Sequence, residues 1–218
     1  MTTPKRLYCA LILDESGSMS GLREATLKGA NAWLADQRKD GPDDLLTLVM
    51  FDAPNDPAAP RVRVKYDGIP LRETVDLSLA DYNPNGGTPL YDALGTTLGR
   101  IEADPRAKDR SVVVVVMTDG LENASVEYTH ESLTAKIAQK ERDGWKIMYL
   151  GANQDAKAVA ASMALDQEFA VTYAPTPAGT AVAYEAASMS LKAVRRSSSD
   201  RAVSESLHEA SATGETPH

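Results

Sequence analysis

Apolar positions along this chain fall into two alternating patterns. A continuous apolar run over 7–13 and further apolar runs over 45–51 and 111–117, the last holding five successive valines, suit strands buried on both faces of a sheet. Shorter strands are predicted over 145–150 and 169–173, and residues 61–66 alternate charge with valine in the manner of a half-solvated, antiparallel edge strand. Between them, apolar residues recur at helical spacing. Leu22, Ala25, Leu27, Ala30, Trp33 and Leu34 share a face over 22–37, and Leu90, Leu94 and Leu98 do so over 89–101, where Pro89 fits a first turn. Further helices are predicted over 132–142, over 155–164 with Asp155 as its cap, and over 180–196.

This succession predicts an α/β fold: a doubly wound, Rossmann-like, mostly parallel six-stranded sheet with one antiparallel edge strand and helices on both faces. Such a fold binds ligands beyond the carboxyl ends of its strands, at the point where strand order reverses. One domain is expected over residues 1–196. The remainder, 197–218, is small, polar and poor in apolar residues, and is expected to be a flexible tail.

Composition narrows the function. The chain has 218 residues, 43% of them hydrophobic and 25% charged, which suits a folded globular domain. Its formal net charge is −8, and its basic residues are scattered, so no basic stripe is available for nucleic acid. No apolar stretch approaches the length of a membrane span, and the N-terminal segment lacks the form of a signal peptide. With a lone cysteine, Cys9, inside a buried-strand pattern, a cytoplasmic location without a disulfide framework is expected, and Cys9 reads as core.

The chemistry-bearing residues gather where the predicted strands end. DESGSMS follows the first strand and offers Asp14, Ser16 and Ser18 at alternate positions; NPNGGTP precedes a helix and offers Thr88; TDG follows the polyvaline strand and offers Asp119. Hydroxyl and carboxylate oxygens are hard donors, suited to Mg2+, with Mn2+ or Ca2+ as alternatives. Each residue also has an ordinary reading: the serines as helix caps, Thr88 as an N-cap, Asp119 as a turn residue. Glu15, Glu122 and Asn123 lie close by, where residues of these types are most often simply solvated.

The combination of D-x-S-x-S, a threonine after paired glycines and T-D-G resembles the metal-ion-dependent adhesion site of von Willebrand factor A domains, over residues 6 to about 196. The resemblance implies that Ser16, Ser18 and Thr88 supply hydroxyls to the ion and that Asp14 and Asp119 bind it directly or through waters. It further implies a non-enzymatic module that engages an aspartate or glutamate of a partner protein, an AAA-type ATPase or the product of a neighbouring gene among the expectations. TDGLENASVEYT and GWKIMYLGANQDA are similar to small stand-alone bacterial and phage-type members.

Two other classes compete: a magnesium-dependent phosphoryl-transfer enzyme, and a scaffold that uses the fold without metal. Against the first, Ser16 stands where a D-x-D-x-T phosphatase would carry its second acid, and neither a G-x-x-x-x-G-K-[ST] loop nor a G-x-S-x-G elbow is present.

Overall fold

The computed structural model describes residues 5–54, 56, 59–196 and 199–212. Six strands form one sheet: β1 (Leu7–Asp14), β2 (Leu45–Phe51), β3 (Val62–Pro70), β4 (Ser111–Thr118), β5 (Lys146–Ala152) and β6 (Ala170–Tyr173), in the order β3-β2-β1-β4-β5-β6. All neighbours are parallel except β2 and β3. Six α-helices surround the sheet: α1 (Arg23–Asp40), α2 (Leu90–Ala103), α3 (His130–Arg142), α4 (Ala156–Ser162), α5 (Pro177–Arg195) and α6 (Asp200–Ala212).

The continuous apolar runs exist because both faces of the sheet are covered. Along β1, Leu7, Cys9, Leu11 and Leu13 join a core with Trp33 and Leu34 of α1 and Leu191 of α5. Tyr8, Ala10 and Ile12 point the other way, into a second core with Leu94 and Leu98 of α2, Leu133 of α3 and Ala160 of α4. A strand side chain alternates between faces with period two, so a strand with two buried faces is apolar at nearly every position, and the buried Thr47 of β2 has its hydroxyl hydrogen-bonded. Cys9 is buried in the first core, and burial pushes its thiol up to about 12, which leaves it inert at neutral pH.

Most element ends differ from the sequence reading by a few residues, and three of the differences change the picture. The edge strand continues past Tyr66 to Pro70 through register irregularities, where the Gly68 N–H donates to the Thr47 hydroxyl at 3.1 Å. The Asp155 carboxylate caps α4 as expected, accepting from the Ala158 N–H at 3.0 Å, but the helix ends at Ser162.

The third difference is a correction: the flexible tail expected from residue 197 is, over Asp200–Ala212, the helix α6. Its Val203, Leu207 and Ala210 stand at helical spacing and enter the core shared by α1 and α5, which offsets the polar character of the rest of the segment. Residues 197, 198 and 213–218 of that expected tail lie outside the described residues. Among the described residues, no helix is long and apolar enough to cross a membrane.

Candidate metal centre

From β1 the chain turns outward to β2 and β3 and then returns to β4 on β1's other side, so strand order reverses between β1 and β4. These two strands end side by side, with Leu13 paired to Met117. The loops that begin at Asp14 and Asp119 are therefore neighbours by construction, although 105 positions of sequence numbering separate them (119 less 14).

Asp14 is fully buried. One of its carboxylate oxygens accepts the Ser16 N–H at 2.7 Å and the other the Thr118 hydroxyl at 2.5 Å. The Ser16 and Ser18 hydroxyls are hydrogen-bonded to each other at 3.1 Å, and Ser18 donates to an Asp119 oxygen at 2.6 Å. A chain of oxygens thus runs from Ser16 through Ser18 to Asp119. The serines do not act as caps: Ser16 begins the short 3-10 turn of Gly17–Leu22 without a side-chain bond to it.

Thr88 arrives from a third loop. A Cβ placed on Gly120 would lie 2.7 Å from the Thr88 hydroxyl oxygen, so that hydroxyl sits directly against the T-D-G turn. Thr88 is buried, yet its hydroxyl makes no hydrogen bond among the described residues, and the N-cap position of α2 is Pro89, which has no side-chain bond. The helix-cap reading of Thr88 is therefore not what the structure shows.

The loop carrying Thr88 is drawn in by residues that sequence reasoning did not assign. Glu15, buried, accepts from the Asn83 N–H and from Arg63, and its backbone carbonyl accepts the Asn85 N–H at 2.8 Å. Tyr82, also buried, donates its hydroxyl to the Asp14 carbonyl at 2.5 Å. Gly86, at φ +65°, packs so close to Ala53 that a Cβ would fall 2.0 Å from the Ala53 carbonyl oxygen; glycine alone fits both demands.

Asn123 fixes Thr88 from the other side, its carboxamide oxygen accepting the Thr88 N–H at 2.8 Å and its own N–H donating to the Thr88 carbonyl at 3.1 Å. Glu122 accepts from the backbone of Tyr91, Ala124 and Ser125, and buried Asp92 accepts three successive amides, Val126 to Tyr128. Glu15 is thus buried, Glu122 is half-buried and Asn123 is exposed, and all three use their side chains to hold the loops. Their signal in the sequence was only that short polar residues crowd three loops bound for the same sheet edge.

The donor set is three hydroxyls and two carboxylates, all hard oxygens, and it contains no histidine or thiolate. Among the described residues no cluster of three or more His, Cys, Asp or Glu could hold a metal, so a softer, imidazole- or thiolate-rich site has no counterpart here. Among the described residues no cationic side chain hydrogen-bonds Asp14, and burial pushes its carboxyl up to about 6. A buried carboxylate with only neutral hydrogen-bond donors among the described residues, beside a hydroxyl with no partner there, fits a hard divalent cation: the ion would neutralise the first and accept a lone pair from the second.

Comparisons with known proteins bear on the fold. No family model and no curated protein matches the chain. Among solved structures, the SpRpn10 VWA domain is 14% identical with a TM-score of 0.59, the match covering 81% of this chain and 92% of that one. The von Willebrand factor type A structure from Catenulispora acidiphila is 16% identical with a TM-score of 0.57, covering 94% of this chain and 43% of that one. The fold is that of a von Willebrand factor A domain. Proximal thread matrix protein 1 from the mussel byssus, solved with a zinc-occupied MIDAS motif, is 12% identical with a TM-score of 0.56, covering 83% of this chain and 46% of its own. This von Willebrand A fold thus spans less than half the length of the Catenulispora and mussel proteins.

Proposed function

We propose that this chain is a divalent-cation-dependent protein-binding module in which Asp14, Ser16, Ser18, Thr88 and Asp119 hold Mg2+, and in which a partner's aspartate or glutamate completes the ion's shell. The observation that carries the reading is the convergence of three loops on one spot: the Ser16, Ser18, Asp119 chain of hydrogen bonds, with the unpartnered Thr88 hydroxyl against it. Those hydrogen bonds are between groups that are all hard ligands, so an arriving ion exchanges them for coordination without a new backbone arrangement.

Two carboxylates offset a divalent charge and leave room for an acidic ligand. In a chain of net charge −8, the ion is what allows an acidic partner to approach. Leu121 and Val126, exposed on the loop that follows Asp119, offer apolar contact beside the ion. An AAA-type ATPase or a neighbouring-gene product is the kind of partner proposed, and Asp14 and Asp119 act as ligands, not as nucleophile and acid.

Titration calorimetry with Mg2+ and Mn2+ tests the site. Wild-type protein is expected to take up one ion, and Ser18→Ala and Asp119→Ala to weaken uptake by about tenfold or more, the scale of losing one charge-assisted contact. Absence of any uptake by the folded wild-type protein would end the proposal.

A further inference from the structure

Beside the oxygen site lies a cavity of about 250 Å³ whose walls include Glu15, Asp52, Pro54, Ala59, Pro60 and Ala80. It shares two elements with the proposed ion site. Glu15 stands between Asp14 and Ser16 in the chain, and Asn85, also on its wall, precedes Gly86, whose carbonyl accepts the Gly17 N–H at 3.0 Å. The two sites are therefore built on the same two loops.

The cavity's charges do not balance. Arg63 is committed to Glu15, and it also donates to the Asp81 carbonyl at 3.2 Å. Asp52, only 7% exposed, has no hydrogen bond to its carboxylate from any described residue. With Glu15 and Arg63 cancelling, the concavity keeps one negative charge on the Asp52 carboxylate, which accepts no hydrogen bond from any described residue. Burial and the neighbouring Glu15 push Asp52 up to about 6, so it is ionised at neutral pH but at a cost that a cation would relieve.

The walls indicate which cation. Pro54, Ala59, Pro60 and Ala80 are apolar, which suits a methylene stem, and Asp52 suits a terminal ammonium. A bare metal ion would find Asp52 as the one uncommitted carboxylate, because Glu15, the other carboxylate on the wall, is held by Arg63 and the Asn83 N–H, and that leaves too few oxygens to replace its hydration. We propose that this cavity is a second subsite of the docking surface and takes a lysine side chain of the partner, ammonium on Asp52, while the partner's acid sits on the ion. This rests on the ion-gripping function for its biological setting, but the cavity's chemistry stands independently of it. The partner segment is then bipartite, one acid and one lysine.

The experiment is an amide NMR titration of the labelled full chain with Nα-acetyl-lysine N-methylamide, with the norleucine analogue as a stem without charge. The expected result is saturable shifts at Asp52, Asn83 and Asn85 in the millimolar range with the lysine compound, none with norleucine, and an affinity about tenfold weaker in Asp52→Asn, as for loss of one hydrogen bond to a charged group. Ala80→Phe, a change at an exposed position, plugs the mouth and abolishes the shifts even if Asp52→Asn folds poorly. Equal binding of norleucine, or lysine shifts that survive both variants, overturns the subsite. Mg2+ calorimetry on the same sample reads the two ideas apart: lysine shifts without Mg2+ uptake uphold the pocket and remove the ion-gripping function, and Mg2+ uptake without lysine shifts does the reverse.

Discussion

A buried aspartate stands at each end of the sheet, and the protein treats the two differently. Asp44, just before β2 at the amino-terminal edge, accepts the Leu7 N–H at 2.8 Å and the Arg195 guanidinium at 2.8 Å. Its charge is answered from within the fold, by a residue of α5. Asp14, at the carboxyl-terminal edge, receives only neutral donors, a backbone N–H and a threonine hydroxyl. Both residues are nearly or wholly inaccessible to solvent. The first is a structural ion pair that ties α5 to the sheet; the second is a buried charge whose counter-charge has to come from outside. Burial alone does not separate structure from function here. The presence of an internal partner does.

The comparison is broken most directly by removing each carboxylate in turn. Asp44→Ala leaves the Arg195 guanidinium buried with no partner, since its two terminal nitrogens already lack hydrogen bonds. Breaking a buried pair in this way costs about 3–5 kcal/mol. Asp14→Asn keeps an acceptor for Ser16 and a donor for Thr118 and removes a charge that nothing in the fold neutralises, so in EDTA it is expected to change stability by less than about 1 kcal/mol in either direction. Urea unfolding of both variants measures the contrast. Equal losses would mean that Asp14 is compensated internally after all, and the distinction between the two edges would fail.

A smaller effect is expected from the residue that holds Thr88 in place. Asn123→Ala takes the acceptor from the Thr88 N–H and should cost about 1–3 kcal/mol, the penalty of an unsatisfied buried donor. Because the five proposed ligands are intact in this variant, Mn2+ affinity should fall only through loss of preorganisation. Asn123→Asp, which restores the acceptor, should recover most of the stability. If Asn123→Ala unfolds as wild type does, the loop is held by its other contacts and Asn123 is not the clamp.

How legible these features were follows the same division. The strands were legible because burial on both faces writes itself as an unbroken apolar run, and β2 was bounded at both ends by polar residues that cannot continue it. The carboxylates at the strand ends were legible because a sheet of this topology must put its loops together at the switch point. α6 was not legible by composition, since its surface is serine- and glutamate-rich, and the spacing of Val203, Leu207 and Ala210, the one signal of a helix there, went unread. The clamps were illegible for another reason. Glu15, Tyr82 and Asn123 act across loops that neither propensity nor periodicity positions, so their partners emerge only once the backbone is folded. Asp52 belongs with them: its residue type at the end of an apolar strand resembles Asp14, and nothing in the sequence says which of the two would face a cavity lined by proline and alanine.

Asp52 also sharpens the comparison at its finest grain, because it is a third buried acid, its carboxylate accepts no hydrogen bond from any described residue, and its ionisation can be followed through stability. Its folded-state value, pushed up to about 6, lies above the ordinary carboxylate range, so the folded protein holds the proton more tightly than the unfolded chain does. Below about pH 4 both states are protonated and the residue costs nothing. As pH rises from 4 to 6 the unfolded chain ionises first, folding loses stability, and above 6 the penalty is constant. Asp52→Asn should therefore be more stable than wild type by about 1 kcal/mol at pH 7.5, less than the full linkage because the new amide needs hydrogen bonds of its own, with the gain fading to nothing by pH 4. Urea melts in EDTA at the two pH values, read as the difference between variant and wild type, cancel the titration of every other group. A gain that is the same at both values would show that charge is not its source, and would place Asp52 with Asp44 among the acids the fold has already answered.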